Sequence, residues 1–259
     1  MKLRPVLAAL FLCIPQVHAE RLKPETLRAW DSYVQATEQR IRGELERGNP
    51  FLNLNPPAGG RVLIEKRKVT AKVEGGMIHH WVGAVFIPGV TVDRVLAFVQ
   101  DYNHHSKYFW DVEDSKLRSR DGDVFQIYMR FRRKKILTVH YNTEHTVIYR
   151  RHDAHRASSR SATTRIAELE DPGKPNEREK PVGDDSGFLW RLNSYWRFQE
   201  ADGGVRVECE SLSLSRSIPG AIAWLIRSYV ESVPRESLEN TLLQMSAGVR
   251  GAPTKPAGK

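Results

Sequence analysis

Gly187 to Gln199 (GFLWRLNSYWRFQ) and Gly204 to Arg216 (GVRVECESLSLSR) decide how this chain folds. Glu200-Ala-Asp-Gly-Gly204 turns the chain between them. Ser217-Ile-Pro-Gly220 then breaks it before a long helical pattern from Ala221 to Met245. Two strands joined by a glycine-rich turn form an antiparallel hairpin. When that hairpin delivers an amphipathic helix, the sheet can curl around the helix and enclose an apolar interior.

Upstream, the strands continue without helical interruption. Val112 to Arg118 meets Val124 to Arg132 through Arg120-Asp-Gly-Asp123, a hairpin signal. Ile136 to Tyr149 and Ala157 to Leu169 extend the meander. Asp171 to Ser186 (DPGKPNEREKPVGDDS) is polar and proline-containing, so it is expected as a long flexible hairpin loop. Nearer the start, Pro24 to Leu45 predicts a helix opened by proline, with Leu27, Trp30, Val34, Ile41 and Leu45 on one stripe. Asn53 to Gly60 is a loop, Val62 to Val73 and Met77 to Ile87 are strands, and Thr91 to Tyr102 is a helix capped by Thr91. Strands grouped together with helices at their ends predict an α+β fold, a curved antiparallel sheet around a long terminal helix, with an extra N-terminal helix.

Side-chain parity sorts the strands into two faces. Phe125, Ile127, Met129 and Phe131 share one face; Leu137, Val139, Tyr141, Thr143 and Val147 share another. Phe188, Trp190, Leu192, Ser194, Trp196 and Phe198 form a third set. The terminal helix offers Ile222, Ile226, Tyr229, Val233, Thr241 and Met245, with Pro234 predicted to kink it. These sets define either a packed core or the two walls of a cavity.

The stretch from Gly187 to Trp196, the Arg216-Ser-Ile-Pro219 strand end and the kinked helix resemble the START-like (SRPBCC, helix-grip) superfamily, over roughly Arg61 to Ser246. The resemblance implies a helix-grip domain that holds a sterol, phospholipid, polyketide or other hydrophobic molecule between sheet and terminal helix. The wall expected on this basis is Met129, Tyr141, Trp190, Trp196, Ile226 and Tyr229, with Arg130 a candidate for a polar ligand head. Some members are polyketide aromatases or cyclases, so an aromatase-like or hydrolytic enzyme is the alternative. A third reading is an interaction module with a filled core and a basic rim.

The whole chain carries 40 basic and 31 acidic residues in 259, a formal net charge of +9. Lys2 and Arg4, the short apolar run Val6 to Ile14 and Val17-His-Ala19 are expected to be a secretory signal cleaved after Ala19. Phe11 and Leu12 before Cys13 argue against lipid attachment there. A periplasmic or secreted monomer is expected. The domains then run 1–19 signal, 20–60 N-terminal helix and loop, 61–246 helix-grip domain and 247–259 disordered tail. The basic runs Arg130 to Lys135 and Arg150 to Arg160 could contact an anionic membrane transiently. Nucleic acid is not an expected partner of an exported protein. After cleavage Cys209 has no cysteine to pair with inside the chain, and its place on a strand predicts a small buried side chain.

No phosphate loop, nucleophile elbow or dinucleotide fingerprint occurs, so no cofactor is expected. His79-His80 and His104-His105 lack metal-ligand spacing, and adjacent residues on a strand point to opposite faces. Glu144, His145 and Glu208 are the candidates for acid–base work in the enzyme reading, and Glu208 shares a face with Glu210. Outward ladders of Glu and Arg are the simpler account of these carboxylates.

Overall fold

The computed structural model describes residues 21–134, 138–217 and 223–252, with side chains in the last stretch described from Ser232 onward. The elements in chain order are α1 (Pro24–Arg47), β1 (Leu63–Lys66), β2 (Gly76–Pro88), α2 (Val92–Val99), α3 (His105–Tyr108), β3 (Val112–Asp121), β4 (Val124–Lys134), β5 (Thr138–Arg151), β6 (Arg156–Glu170), β7 (Arg178–Glu179), β8 (Arg191–Ala201), β9 (Gly204–Arg216) and α4 (Ala223–Val249). All pairings are antiparallel, in the order β1-β2-β9-β8-β6-β5-β4-β3, with β7 on the end of β6. The β8–β9 hairpin lies at the centre of this curved sheet.

Each face of the sheet has its own cover. On the concave face α2 and α4 pack through Val92, Val95, Phe98, Leu238, Leu242 and Met245 onto Val85, Ile87, Phe125, Val147, Phe198 and Val207. Gly83 permits this approach: a Cβ there would lie 2.7 Å from Leu242 Cδ1 and 2.6 Å from Ile64 Cδ1. On the convex face Trp30 and Ile41 of α1 cover Ile78, Tyr195, Leu212 and Leu214. The alternation of the strands thus feeds two separate hydrophobic layers.

Several boundaries differ from the sequence expectation, each for a local reason. The strand expected over Val62 to Val73 ends at Lys66, because Val69 and Val73 leave the sheet edge to pack against α1. Thr91 caps α2 as expected, its Oγ1 accepting from Arg94 N at 3.3 Å, but the α-helix ends at Val99 and a single 3-10 turn follows at Tyr102–His104. α4 contains Pro234 and runs to Val249, three residues into the stretch expected as a tail.

The segment from Asp171 to Ser186 is not a free loop. β7 extends the end of β6, and Glu177 receives both terminal nitrogens of Arg130 at 2.8 Å. Glu179 accepts from Arg165 and Asn142, while the buried Glu168 takes Lys180 and Ser186. The segment lacks apolar residues to bury, as its composition requires. Charge-assisted hydrogen bonds, stronger than neutral ones, strap it to the sheet instead.

Candidate functional site: an apolar cavity under the terminal helix

The concave face does not close onto α4 along its whole length. Between them lies a cavity of about 510 Å³, within the range of small-molecule sites. Ile127, Met129 and Phe131 of β4 and Val139, Tyr141, His145 and Val147 of β5 form one side. Leu192, Ser194, Trp196 and Phe198 of β8 and Cys209, Ser211 and Ser213 of β9 form the floor. Val233, Pro234, Leu238, Thr241 and Met245 of α4 form the roof. Phe188, 39% exposed, and the half-exposed Arg132 mark the mouth.

Met129, Tyr141 and Trp196 therefore stand on the wall, where strand parity puts them. Trp190 does not. It lies one residue before β8, so the alternation no longer governs it, and its indole turns to the convex layer beside Trp30 and Leu214. There its Nε1–H donates to Asp185 Oδ1 at 3.0 Å, and it is 2% exposed. Arg130 also points away from the cavity and is occupied by Glu113 and Glu177. The positive side chains at the mouth are its neighbours Arg132 and Arg133. Ile226 and Tyr229 lie outside the residues whose side chains are described, as does Ile222.

Arg133 closes one corner of the mouth. It donates to Asp111 at 2.5 Å and approaches Glu236 of α4 at 3.5 Å, tying the end of β4 to the helix two residues after Pro234. At the opposite end Tyr102 and Tyr149 share a hydroxyl hydrogen bond of 2.6 Å, and His105 donates Nε2–H to Val99 O at 3.1 Å. Burial pushes the pKa of both His105 and His145 down to about 4, so both imidazoles are neutral at pH 7.

The residues considered for acid–base work are dispersed. Of Glu144, His145 and Glu208, only His145 faces the cavity. Glu144 is exposed on the convex face. Glu208 is buried on that same face, accepting from the backbone of Asn53 and Leu54 at 2.7 Å, and burial pushes its pKa up. Its neighbour Glu210 is also buried there, against α1, and accepts from His80 at 2.5 Å and from Arg40. Against the cost of burial, those two partners hold the Glu210 carboxyl below its usual range. Glu144, opposite Arg165, fits the outward ladder, whereas Glu208 and Glu210 are neither ladder nor cavity residues; they fasten α1 and the loop after it. The histidine pairs separate as strand geometry demands, with His79 toward the cavity and His80 toward Tyr33 and Glu210.

Sequence reasoning put Ser194 in a wall set but missed the rest of the serine lining. Ser159, Ser161, Ser194, Ser211 and Ser213 all face the hollow. The signal was present in Ser211-Leu-Ser-Leu-Ser215, whose alternation places leucines in the convex layer and serines toward α4.

The fold is START-like, the helix-grip arrangement. A STAR-related lipid transfer protein from Xanthomonas axonopodis superposes with a TM-score of 0.51 at 19% identity, covering 76% of this chain and 98% of that one. Human STARD10 superposes at 0.48 and 12% identity, covering 75% and 72%. The Zhui aromatase/cyclase from a Streptomyces species superposes at 0.43 and 10% identity, covering 67% and 94%. No family model matches the sequence, and no curated protein matches it.

Proposed function

We propose that this protein binds a lipid or similar hydrophobic small molecule in the cavity under α4, without catalysing a reaction. One observation carries the reading: a hollow of about 510 Å³ whose walls are mostly hydrocarbon, in a fold that otherwise packs both faces of its sheet. A packed core of this sequence would have closed the space. The description of the Xanthomonas axonopodis relative as a lipid transfer protein agrees with it. Burial of each methylene contributes about 0.8 kcal/mol, so a sixteen-carbon chain supplies roughly 13 kcal/mol gross. Lost ligand freedom removes several kcal/mol of that, and micromolar or tighter binding remains.

Export to the periplasm or beyond belongs to the same proposal and is supported by the pattern of Lys2, Arg4, Val6 to Ile14 and Val17-His-Ala19, which lies outside the described residues. The protein acts as a monomer and touches anionic membrane transiently to load or unload. The exposed Arg132 and Phe188, both at the cavity mouth, support that contact, since basic and apolar groups then meet the surface together.

Native mass spectrometry of freshly purified protein, followed by extraction, tests the reading. It should reveal carried lipid, and the delipidated protein should take up the uncharged fluorophore N-phenyl-1-naphthylamine. Absence of both would overturn the proposal. Salt-sensitive flotation with anionic vesicles checks the membrane contact separately.

A further inference from the structure

Three serines stand in one line across the cavity floor. Ser161 of β6 pairs opposite Ser194 of β8, and Ser194 pairs opposite Ser211 of β9. Neighbouring strands are about 4.8 Å apart, so the three hydroxyls make a strip on the order of 10 Å long. His145 extends it from β5, with Nδ1 3.5 Å from Ser161 Oγ. All three serines are only half-buried in the middle of a nine-stranded sheet, and the surface they expose is cavity surface. Around them on the same face stand the apolar Leu192, Trp196 and Cys209 and two further serines, Ser159 and Ser213.

The hydrogen bonds fix where the protons are. Thr143 Oγ1 donates to Met129 O at 3.0 Å, so at 2.9 Å it must accept from Nε2–H of His145. That leaves Nδ1 of His145 as an acceptor, which takes a long hydrogen bond from Ser161 Oγ–H at 3.5 Å and so ties the imidazole to the strip. Trp196 donates Nε1–H to Ser194 Oγ at 3.0 Å, which leaves the Ser194 hydroxyl hydrogen to be given onward. Ser211 makes no side-chain hydrogen bond among the described residues. Hydroxyls facing an apolar hollow cost free energy unless something bonds to them. Alanine would leave the same space at lower cost. Among the described lining residues the formally charged ones are Asp111, Arg132 and Arg133, and Arg132 and Arg133 belong to the mouth.

We infer that this strip recognises one uncharged oxygen function, a hydroxyl or a ketone, on an otherwise hydrocarbon ligand. The inference rests on the binding function proposed above and narrows it to neutral lipid alcohols and ketones. An alcohol placed between Ser194 and Ser211, which pair opposite each other, accepts from Ser194 and donates to Ser211 Oγ. A ketone accepts from Ser194 and Ser211. A carboxylate or phosphate has nothing to donate and meets no cation there, so it stays at the mouth beside Arg132.

The test is displacement of N-phenyl-1-naphthylamine from the delipidated full chain by 1-hexadecanol and by hexadecanoate at neutral pH. In Ser194→Ala/Ser211→Ala the hexadecanol affinity should fall about tenfold, the upper end for a pair of neutral hydrogen bonds. Hexadecanoate affinity should stay within about twofold, which also reports that the cavity is intact. An unchanged hexadecanol affinity, or an equal loss for both ligands, overturns the inference while leaving the binding function standing. Failure of the wild type to take up the fluorophore, together with the absence of lipid carried through purification, sinks the binding function itself. If the double variant does not fold, Ser211→Ala alone serves, since it gives up no hydrogen bond within the protein. It should lose about threefold for hexadecanol only.

Discussion

Ser211→Phe separates a hollow from a core. Ser211 sits at the middle of β9, between Ser194 of β8 and Trp81 of β2, with its free surface turned into the cavity. In a close-packed interior, forcing an aromatic ring into a serine site displaces neighbours and costs about 1–3 kcal/mol. Here the ring enters space that is already empty. Full burial of a phenylalanine side chain stabilises by about 1.5–3 kcal/mol, and a ring covered on one side only gains about half of that range. The expected change is a stability equal to wild type or raised by about 1 kcal/mol, measured by urea unfolding of delipidated protein. The same ring removes much of the ligand space, so uptake of N-phenyl-1-naphthylamine should weaken by at least about tenfold. A loss of about 2 kcal/mol or more would mean that the interior is filled in solution, and unaltered uptake would place the ligand elsewhere.

The two tryptophans of the β8 region should part company: Trp190→Ala should cost about 3–5 kcal/mol and leave fluorophore affinity unchanged in the folded protein, whereas Trp196→Ala should weaken affinity clearly. Comparison of urea midpoints with probe titrations decides it, and the reverse pattern would contradict the placement of these rings. Stability should also fall on acidification from pH 7 to 5. His105 and His145 stay neutral when folded down to about pH 4, while in the unfolded chain they take a proton below about 6.5, so falling pH favours unfolding by about 2 kcal/mol per histidine over that interval. Glu208 and Asp185, pushed up by burial, act in the opposite sense, but they are common to wild type and variant. His145→Gln should therefore remove about 2 kcal/mol of the pH-dependent loss, and an identical pH profile in wild type and variant would disprove the buried neutral imidazole.

The architecture was legible wherever a period survived long enough to be counted. β4, β5 and β9 alternate over eleven or more residues, and Met129 and Tyr141 fell on the wall by parity alone. The stripe of α1 was equally plain, yet nothing in its residues says which face of the sheet it covers. Parity failed at Trp190 because the strand begins one residue later, at Arg191, after the turn at Gly187 with φ of +71°. The strap from Asp171 to Ser186 was misjudged for another reason. Composition measures what a segment can bury, while its anchors, Arg130, Arg165 and Lys180, lie on β4, on β6 and within the segment itself. The cavity is the least legible feature, since a set of large side chains looks the same whether it touches across an interior or stands apart.

The arrangement of charge gives the cavity its chemical character. Glu208, Glu210, Arg197 and His80 are all buried, and all lie on the convex face, where α1 and the loop after it supply their partners. Each of those groups is one strand position away from the cavity: Cys209 and Ser211 alternate with Glu208 and Glu210, and His79 adjoins His80. A one-residue slip in register would carry two carboxylates into the hollow and turn the serines outward. Such a slip is opposed at once by ion pairs that would be broken and charges that would be buried without partners, a penalty of several kcal/mol for each. The convex ion-pair layer thus does more than hold α1. It fixes the register that keeps the interior neutral, and a neutral interior lined with hydroxyls admits an uncharged oily molecule far more readily than an ionised one.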